Sequence, residues 1–305
     1  CGWFGVQTWI GGLAIYSIWN AATGHEGETA LSIGKFICFG VFWLINIWFI
    51  WKGTESIRWL GDWSAPILIL IGVVLVGWGA SSAGGFSRAL EQGKQLQQGT
   101  VKVLPYADAP GITLGLSPLL NADGTPKATH YRLSYPKQRE NRPSVWVPLE
   151  GAMSMVSLGA DKEVQVQFKD HRGHVSTKLE FKVGSADVRE VGFWQYLMWF
   201  TAMVGFWATM SISISDITRH AKSQKDQLAG QFIGLPGTMI FYSFVGVFVT
   251  SAAVVAFDDV LIAEDAPWDP VSLVDKFKNP GVVIFAQIAM LIATLSTNIA
   301  ANVIA

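Results

Sequence analysis

The sequence predicts an α-helical integral membrane protein that carries an inserted β domain outside the membrane. Three observations carry that prediction. Half of the 305 residues are apolar and 15% are charged, against about 25% charged in an ordinary soluble domain. Several long runs carry little or no charge, and each approaches the ~20 residues that a helix needs to cross a hydrocarbon core. One internal stretch, 88–190, breaks the pattern, because it holds 14 of the 22 Lys and Arg and 11 of the 23 acidic residues.

The runs give six spans: 2–23, 32–51, 63–87, 191–215, 227–257 and 279–305. The second qualifies if Lys35 snorkels at one end, and the longest must tilt or take in part of a loop. The 14 Trp suit a chain that meets membrane interfaces. No basic segment leads the first span, so a signal peptide is not expected there. Both ends look cut, and the chain is expected to be an internal piece of a longer protein.

Residues 88–190 form the insert, between membrane parts 1–87 and 191–305. Glu163-Val164-Gln165-Val166-Gln167-Phe168 and Lys178-Leu179-Glu180-Phe181-Lys182-Val183 alternate with period two, as half-buried strands do. Asp170-His171-Arg172-Gly173 is the turn between them. Tyr131–Tyr135 and Val145–Val147 are shorter strands, and Asn121–Gly124 is a loop. The Trp146 segment and the run from Phe168 to Ser176 resemble late strands of bacterial immunoglobulin-like or fibronectin-like sandwiches.

Orientation follows from Lys and Arg in short loops, which favour the cytoplasm. Lys52 and Arg58 mark one such loop; Arg219, Lys222 and Lys225 mark another. The segment 24–31, with Glu26 and Glu28, and the acidic segment 258–278 then face outside. Counting spans puts the insert outside as well.

Polar groups within spans are costly and point to function. Trp3 and Gln7 are four apart and share a helix face. They could stack on and hydrogen-bond a flat heterocycle, or pack against a neighbouring helix. Gly205-Phe206-Trp207-Ala208-Thr209 permits either close helix packing or a local break that frees backbone groups for a ligand. Ala293, Ser296 and Thr297 share a face and offer hard oxygens to a small cation. Thr294, Asn298 and Asn302 form the adjacent column, in which an uncharged amide could read a heterocycle's edge. The bland reading of both columns is interhelical hydrogen bonding.

Other classes fit poorly. Cys1 and Cys38 make no ligand or disulfide pattern. The five histidines fall in loops or the insert, and no nucleophile–base pair lies in a span, so an enzyme is not expected. A net charge of −1 argues against nucleic acid as a partner. A membrane receptor whose outer β domain senses a ligand is the alternative to a carrier.

The motifs Trp3–Trp9, Gly205–Ala208, Ser215–Arg219, Ala221–Gln227, Gly230-Gln231, Gly234-Leu235-Pro236 and Ala293–Asn302 resemble the nucleobase–cation symporter family of hydantoin, allantoin, uracil and cytosine permeases. The resemblance covers about 200 membrane residues and not 88–190. It implies a five-plus-five inverted repeat of twelve helices, of which these spans are the third to eighth. It implies cation-coupled uptake of a planar nitrogen heterocycle by alternating access, with no cofactor. Trp3 would stack on the substrate and Gln7 would hydrogen-bond it. Gly205, Phe206 and Ala208 would line the pocket from a broken sixth helix. Asn302 would hydrogen-bond the substrate from the eighth, with Asn298 close by. Ala293, Ser296 and Thr297 match sodium-site positions, with sodium or protons as the coupling ion. Hydantoin permeases resemble Gly-Trp where this chain has Gly205-Phe206, so the substrate looks more like allantoin or a nucleobase.

Overall fold

A computed structural model describes residues 2–24, 31–104, 113–135, 144–158, 163–182, 193–212, 214–219 and 221–303. The side chains at 54–58, 206, 207, 209, 210, 212, 216 and 217 lie outside that description, as does the expected loop with Glu26 and Glu28. The chain divides into two compact units. One holds residues 1–74, 191–244 and 269–305; the other holds 75–190 and 245–268.

Helices occupy all six predicted stretches: α1 (Gly2–Thr23), α2 (Ile33–Lys52), α3 (Thr54–Ser82), α5 (Phe193–Ile212), α8 (Thr238–Ala256) and α10 (Pro280–Asn302); short helices α6 (Ile214–Thr218) and α9 (Pro270–Asp275) lie between them. Among the described residues, four stretches are long and apolar enough to cross a membrane: Ile33–Lys52, Trp59–Ser82, Gln224–Ala256 and Pro280–Asn302. α1 and α5 are long enough, but Gly, Gln, Ser, Thr and Trp dilute their hydropathy.

In the helical unit α1 packs most extensively on α10 and α2. Two glycines allow the approach to α2. A Cβ on Gly11 would lie 2.2 Å from the Phe42 ring, and one on Gly12 would lie 2.7 Å from the Phe39 backbone. Small residues bring membrane helices together in this way. Phe42 of α2, Leu60 of α3 and Leu295 and Ile299 of α10 form an apolar core. α10 starts where Asn279 Oδ1 accepts from Gly281 N (2.9 Å) and Pro280 fills the first helical position, satisfying an end that lacks internal partners.

One expectation about a helix break is corrected. α5 runs unbroken through Gly205–Ala208, because a single Gly weakens a helix without removing a hydrogen bond. The irregularity lies instead at Ile233–Gly237, between α7 (Gln224–Phe232) and α8, where the backbone takes one π-helical turn. Pro236 removes an N–H donor there, and the wider turn absorbs the loss.

In the other unit the insert opens with a helix, α4 (Phe86–Gln98). Two antiparallel sheets follow. The first orders β1 (Val101–Leu104), β2 (Thr113–Leu116) and β5 (Ser154–Ser157) as 1-2-5. The second orders β4 (Val147–Pro148), β3 (His130–Ser134), β6 (Glu163–Lys169) and β7 (Leu179–Lys182) as 4-3-6-7. Pro148 sits in an edge strand, where its missing N–H costs nothing. Leu114 and Leu116 from one sheet and Val164, Val166 and Phe168 from the other share one apolar core. Leu261 and Ile262 enter the same core, so it draws on residues beyond 88–190. The hairpin after β6 is tied by Asp170, which accepts from Arg172 N and His174 N (both 2.8 Å) and bonds His174 Nδ1 at 2.7 Å.

Candidate functional site

The polar residues of the helical unit collect in two buried groups. The first spans α1, α2 and α10. Asn298, fully buried, donates through Nδ2 to Asn46 Oδ1 (3.0 Å) and Thr8 Oγ1 (3.3 Å). Its Oδ1 accepts from Asn302 Nδ2 at 2.9 Å. Asn46, also fully buried, donates to the Phe42 carbonyl (2.8 Å), and Thr8 donates to the Phe4 carbonyl (2.7 Å). Three amides and a hydroxyl therefore satisfy one another in an apolar setting, where an unpaired group would be costly.

Ser296 belongs to the neighbouring face of α10, and its Oγ accepts from Ser64 Oγ at 3.0 Å. Ala293, Ser296 and Thr297 are all half-buried. Their hydroxyls and carbonyls are hard oxygens of the kind that suit sodium. Thr294, buried on the adjacent column, donates back to the Met290 carbonyl (2.7 Å), as membrane Ser and Thr commonly do.

The second group lies near the start of α10. Gln287 is fully buried and donates through Nε2 to Ser17 Oγ (2.9 Å), Asp275 Oδ1 (3.3 Å) and the Val271 carbonyl (3.5 Å). Ser17 also donates to Asp275. Gln287 Oε1 has no partner among the described residues. The Lys35 ammonium sits 5.5 Å from the Tyr16 ring centre. Burial pushes the Asp275 carboxyl above its usual range, against the opposing pull of Ser17, Gln287 and Lys35.

The expected site residues fall as follows. Asn298 and Asn302 meet directly, and Thr8, the neighbour of Gln7, completes their contact with α1. Trp3 is 36% exposed and Gln7 half-buried, one turn apart on α1. Gly205 is exposed and Ala208 half-buried on α5, which packs on α10. Phe206 lies on α5, with its side chain outside the described residues. No described hydrogen bond joins Gln7 or Ala208 to the Asn298–Asn302 pair. Sequence reasoning missed Thr8, Asn46, Ser64, Ser17 and Gln287. A lone Asn in the apolar run 33–51 was the signal for Asn46.

Comparison with known proteins adds a second line. The family described as permease for cytosine/purines, uracil, thiamine and allantoin matches residues 1–116 and 179–305, which leaves out most of the insert. The chain is 30% identical over 314 aligned positions to a purine-uracil permease of Arabidopsis thaliana, covering 100% of this chain and 36% of that protein. It is 24% identical over 309 positions to an allantoin permease of Bacillus subtilis, covering 99% of this chain and 44% of that protein. A hydantoin permease of Microbacterium maritypicum is 34% identical over 74 positions, 24% of this chain and 14% of that protein. The chain thus spans less than half the length of these relatives. No solved structure matches it.

Proposed function

The chain belongs to the family of permeases for cytosine/purines, uracil, thiamine and allantoin, and from that premise we propose that it is part of a secondary transporter. The transporter couples entry of a cation to uptake of a nucleobase or a related planar nitrogen heterocycle. The observation that carries this reading is the buried amide column of α10 facing α1, in a chain whose described residues include four stretches long and apolar enough to cross a membrane. Uncharged amides recognise a neutral heterocycle without placing a charge in the bilayer. Membership in a family of permeases also favours a carrier over a receptor.

In this reading Trp3 stacks on the substrate ring and Gln7 hydrogen-bonds its edge. Gly205, Phe206 and Ala208 line the pocket from α5, and Asn302 reads the substrate from α10 with Asn298 behind it. Ala293, Ser296 and Thr297 hold a sodium ion, with Ser64 orienting Ser296. Sodium is favoured over a proton because these three positions supply only neutral oxygens. Alternating access rocks one set of helices against another around this site. The insert is an immunoglobulin- or fibronectin-like sandwich, supported by its strand order 1-2-5 and 4-3-6-7. It lies outside the cytoplasmic membrane, where an extracytoplasmic partner can reach it.

Uptake of radiolabelled uracil and allantoin by the full-length protein tests the assignments. Trp3→Ala should weaken uptake affinity by about tenfold or more, because stacking on a base is worth about 1–3 kcal/mol. Ser296→Ala and Thr297→Ala should each raise the sodium concentration needed for half-maximal uptake. Unchanged affinity in Trp3→Ala rejects the pocket, and sodium-independent uptake rejects sodium as the coupling ion.

A further inference from the structure

We propose that Thr8 and Asn46, which need not touch the substrate, fix which end of the Asn302 amide faces the pocket and so select ligands that present an N–H group. The inference rests on the assignment of Asn302 to the substrate and names what that residue demands of it.

The argument starts from backbone carbonyls, which can only accept. Asn46 lies 2.8 Å from the Phe42 carbonyl, so its amino group must point there and its Oδ1 must face α10. The Thr8 hydroxyl lies 2.7 Å from the Phe4 carbonyl, so its hydrogen is spent and its lone pairs face α10. Asn298 then meets two acceptors, at 3.0 and 3.3 Å, and must answer them with its amino group. Its Oδ1 is left to face Asn302 at 2.9 Å, which obliges Asn302 to donate. Asn302 Oδ1 is thereby turned away from the relay. Because Asn46 and Asn298 are fully buried, no water stands by to repair a flipped amide. A flip at any link would set oxygen against oxygen or N–H against N–H. Two helix carbonyls on α1 and α2 thus dictate, through two side chains, the polarity of a third on α10.

An amide oxygen offered in this way pairs with a ring or ureide N–H, as in uracil or allantoin. A ring nitrogen that is methylated, or that carries only a lone pair, leaves that oxygen unpaired and is refused. Thr8 and Asn46 are positioning residues in this scheme, since they act on the ligand through Asn298 and Asn302.

The test uses full-length protein purified in detergent, with uracil and 1,3-dimethyluracil as probes. The second keeps the ring and both carbonyls and lacks both N–H groups. The parent should bind uracil at least about tenfold tighter, the worth of one well-made hydrogen bond. Asn46→Leu combined with the isosteric Thr8→Val removes both acceptors that hold Asn298 and releases the relay, so uracil binding should weaken by about tenfold while 1,3-dimethyluracil changes less than about twofold. Thr8→Ser keeps the hydroxyl and should keep the parent's preference. Thr8→Val combined with Asn46→Ala, which adds no bulk, stands as the test if the Leu variant does not fold. Variants that keep the parent's ratio, or that weaken both probes equally, overturn the relay while leaving the transporter reading intact. A parent that binds neither probe fails the substrate reading, and this inference falls with it.

Discussion

The two units differ in where they place their large apolar side chains. In the β-rich unit the core is Leu114, Leu116, Val164, Val166 and Phe168, and charged side chains such as Arg172 and Asp258 pair at the surface. In the helical unit Thr8, Ser17, Asn46, Gln287 and Asn298 are buried, while Trp43, Leu44, Trp48, Leu70 and Phe200 are exposed. The difference follows from the surroundings each surface is built for. Water rewards the burial of apolar area. Lipid does not, so membrane helices are held together by close packing and by polar groups that hydrogen-bond to one another.

Exchanging the kinds of residue breaks this contrast, and the largest effect belongs to the water-facing core. Phe168 is fully buried between the sheets, so Phe168→Ala should cost about 3–5 kcal/mol. Limited proteolysis of the full-length protein should then cut within 88–190 much faster, with the helical unit unaffected. Loss of a polar group should dominate in the other unit. Asn298→Leu strands Asn46 Oδ1 and the Asn302 amino group, at about 1–3 kcal/mol for each buried group left unpaired. The midpoint of thermal unfolding in detergent should fall, although the side chain becomes more apolar.

The next effect is smaller and depends on pH. Burial works against ionised Asp170, but hydrogen bonds from His174 and Arg172 prevail and hold its carboxyl below the usual range. A carboxyl depressed on folding stabilises the fold above its unfolded pKa of about 3.9, and the contribution is lost as pH falls through the lower folded value. Asp170→Asn should therefore cost about 1 kcal/mol near pH 7 and progressively less below pH 4, read by proteolysis of the hairpin across that range. The smallest effect is expected on the outward face. Leu70 is 64% exposed on α3, and Leu70→Val should change the detergent unfolding midpoint by less than the equivalent of about 0.5 kcal/mol.

The same contrast explains what the sequence made legible. In the insert, alternation is a direct record of which face is wet, so β6 and β7 and the turn at Asp170–Gly173 stand where the period-two runs placed them. The strands β1, β2 and β5 carry one charged residue between them, Lys102, so no wet face declares itself as it does in β7. Leu261 and Ile262 were hidden within an acidic segment, although three consecutive apolar residues, Val260 to Ile262, marked a buried anchor. In the helices the apolar residues are uninformative about facing, because they point outward and inward alike. The facing is written in the scarce polar residues. Asn298 and Asn302 were conspicuous in a polar run, whereas Asn46 and Gln287 each stand alone and become meaningful once α10 is laid against its neighbours.

The central claim is that this helical unit belongs to a cation-driven carrier of planar nitrogen heterocycles. Accumulation in proteoliposomes reconstituted with the full-length protein tests it most directly. Under an inward sodium gradient, radiolabelled uracil or allantoin should rise inside above its outside concentration, and an ionophore that dissipates the gradient should release the excess. Equal concentrations on both sides for both compounds, with the gradient intact, would contradict the account.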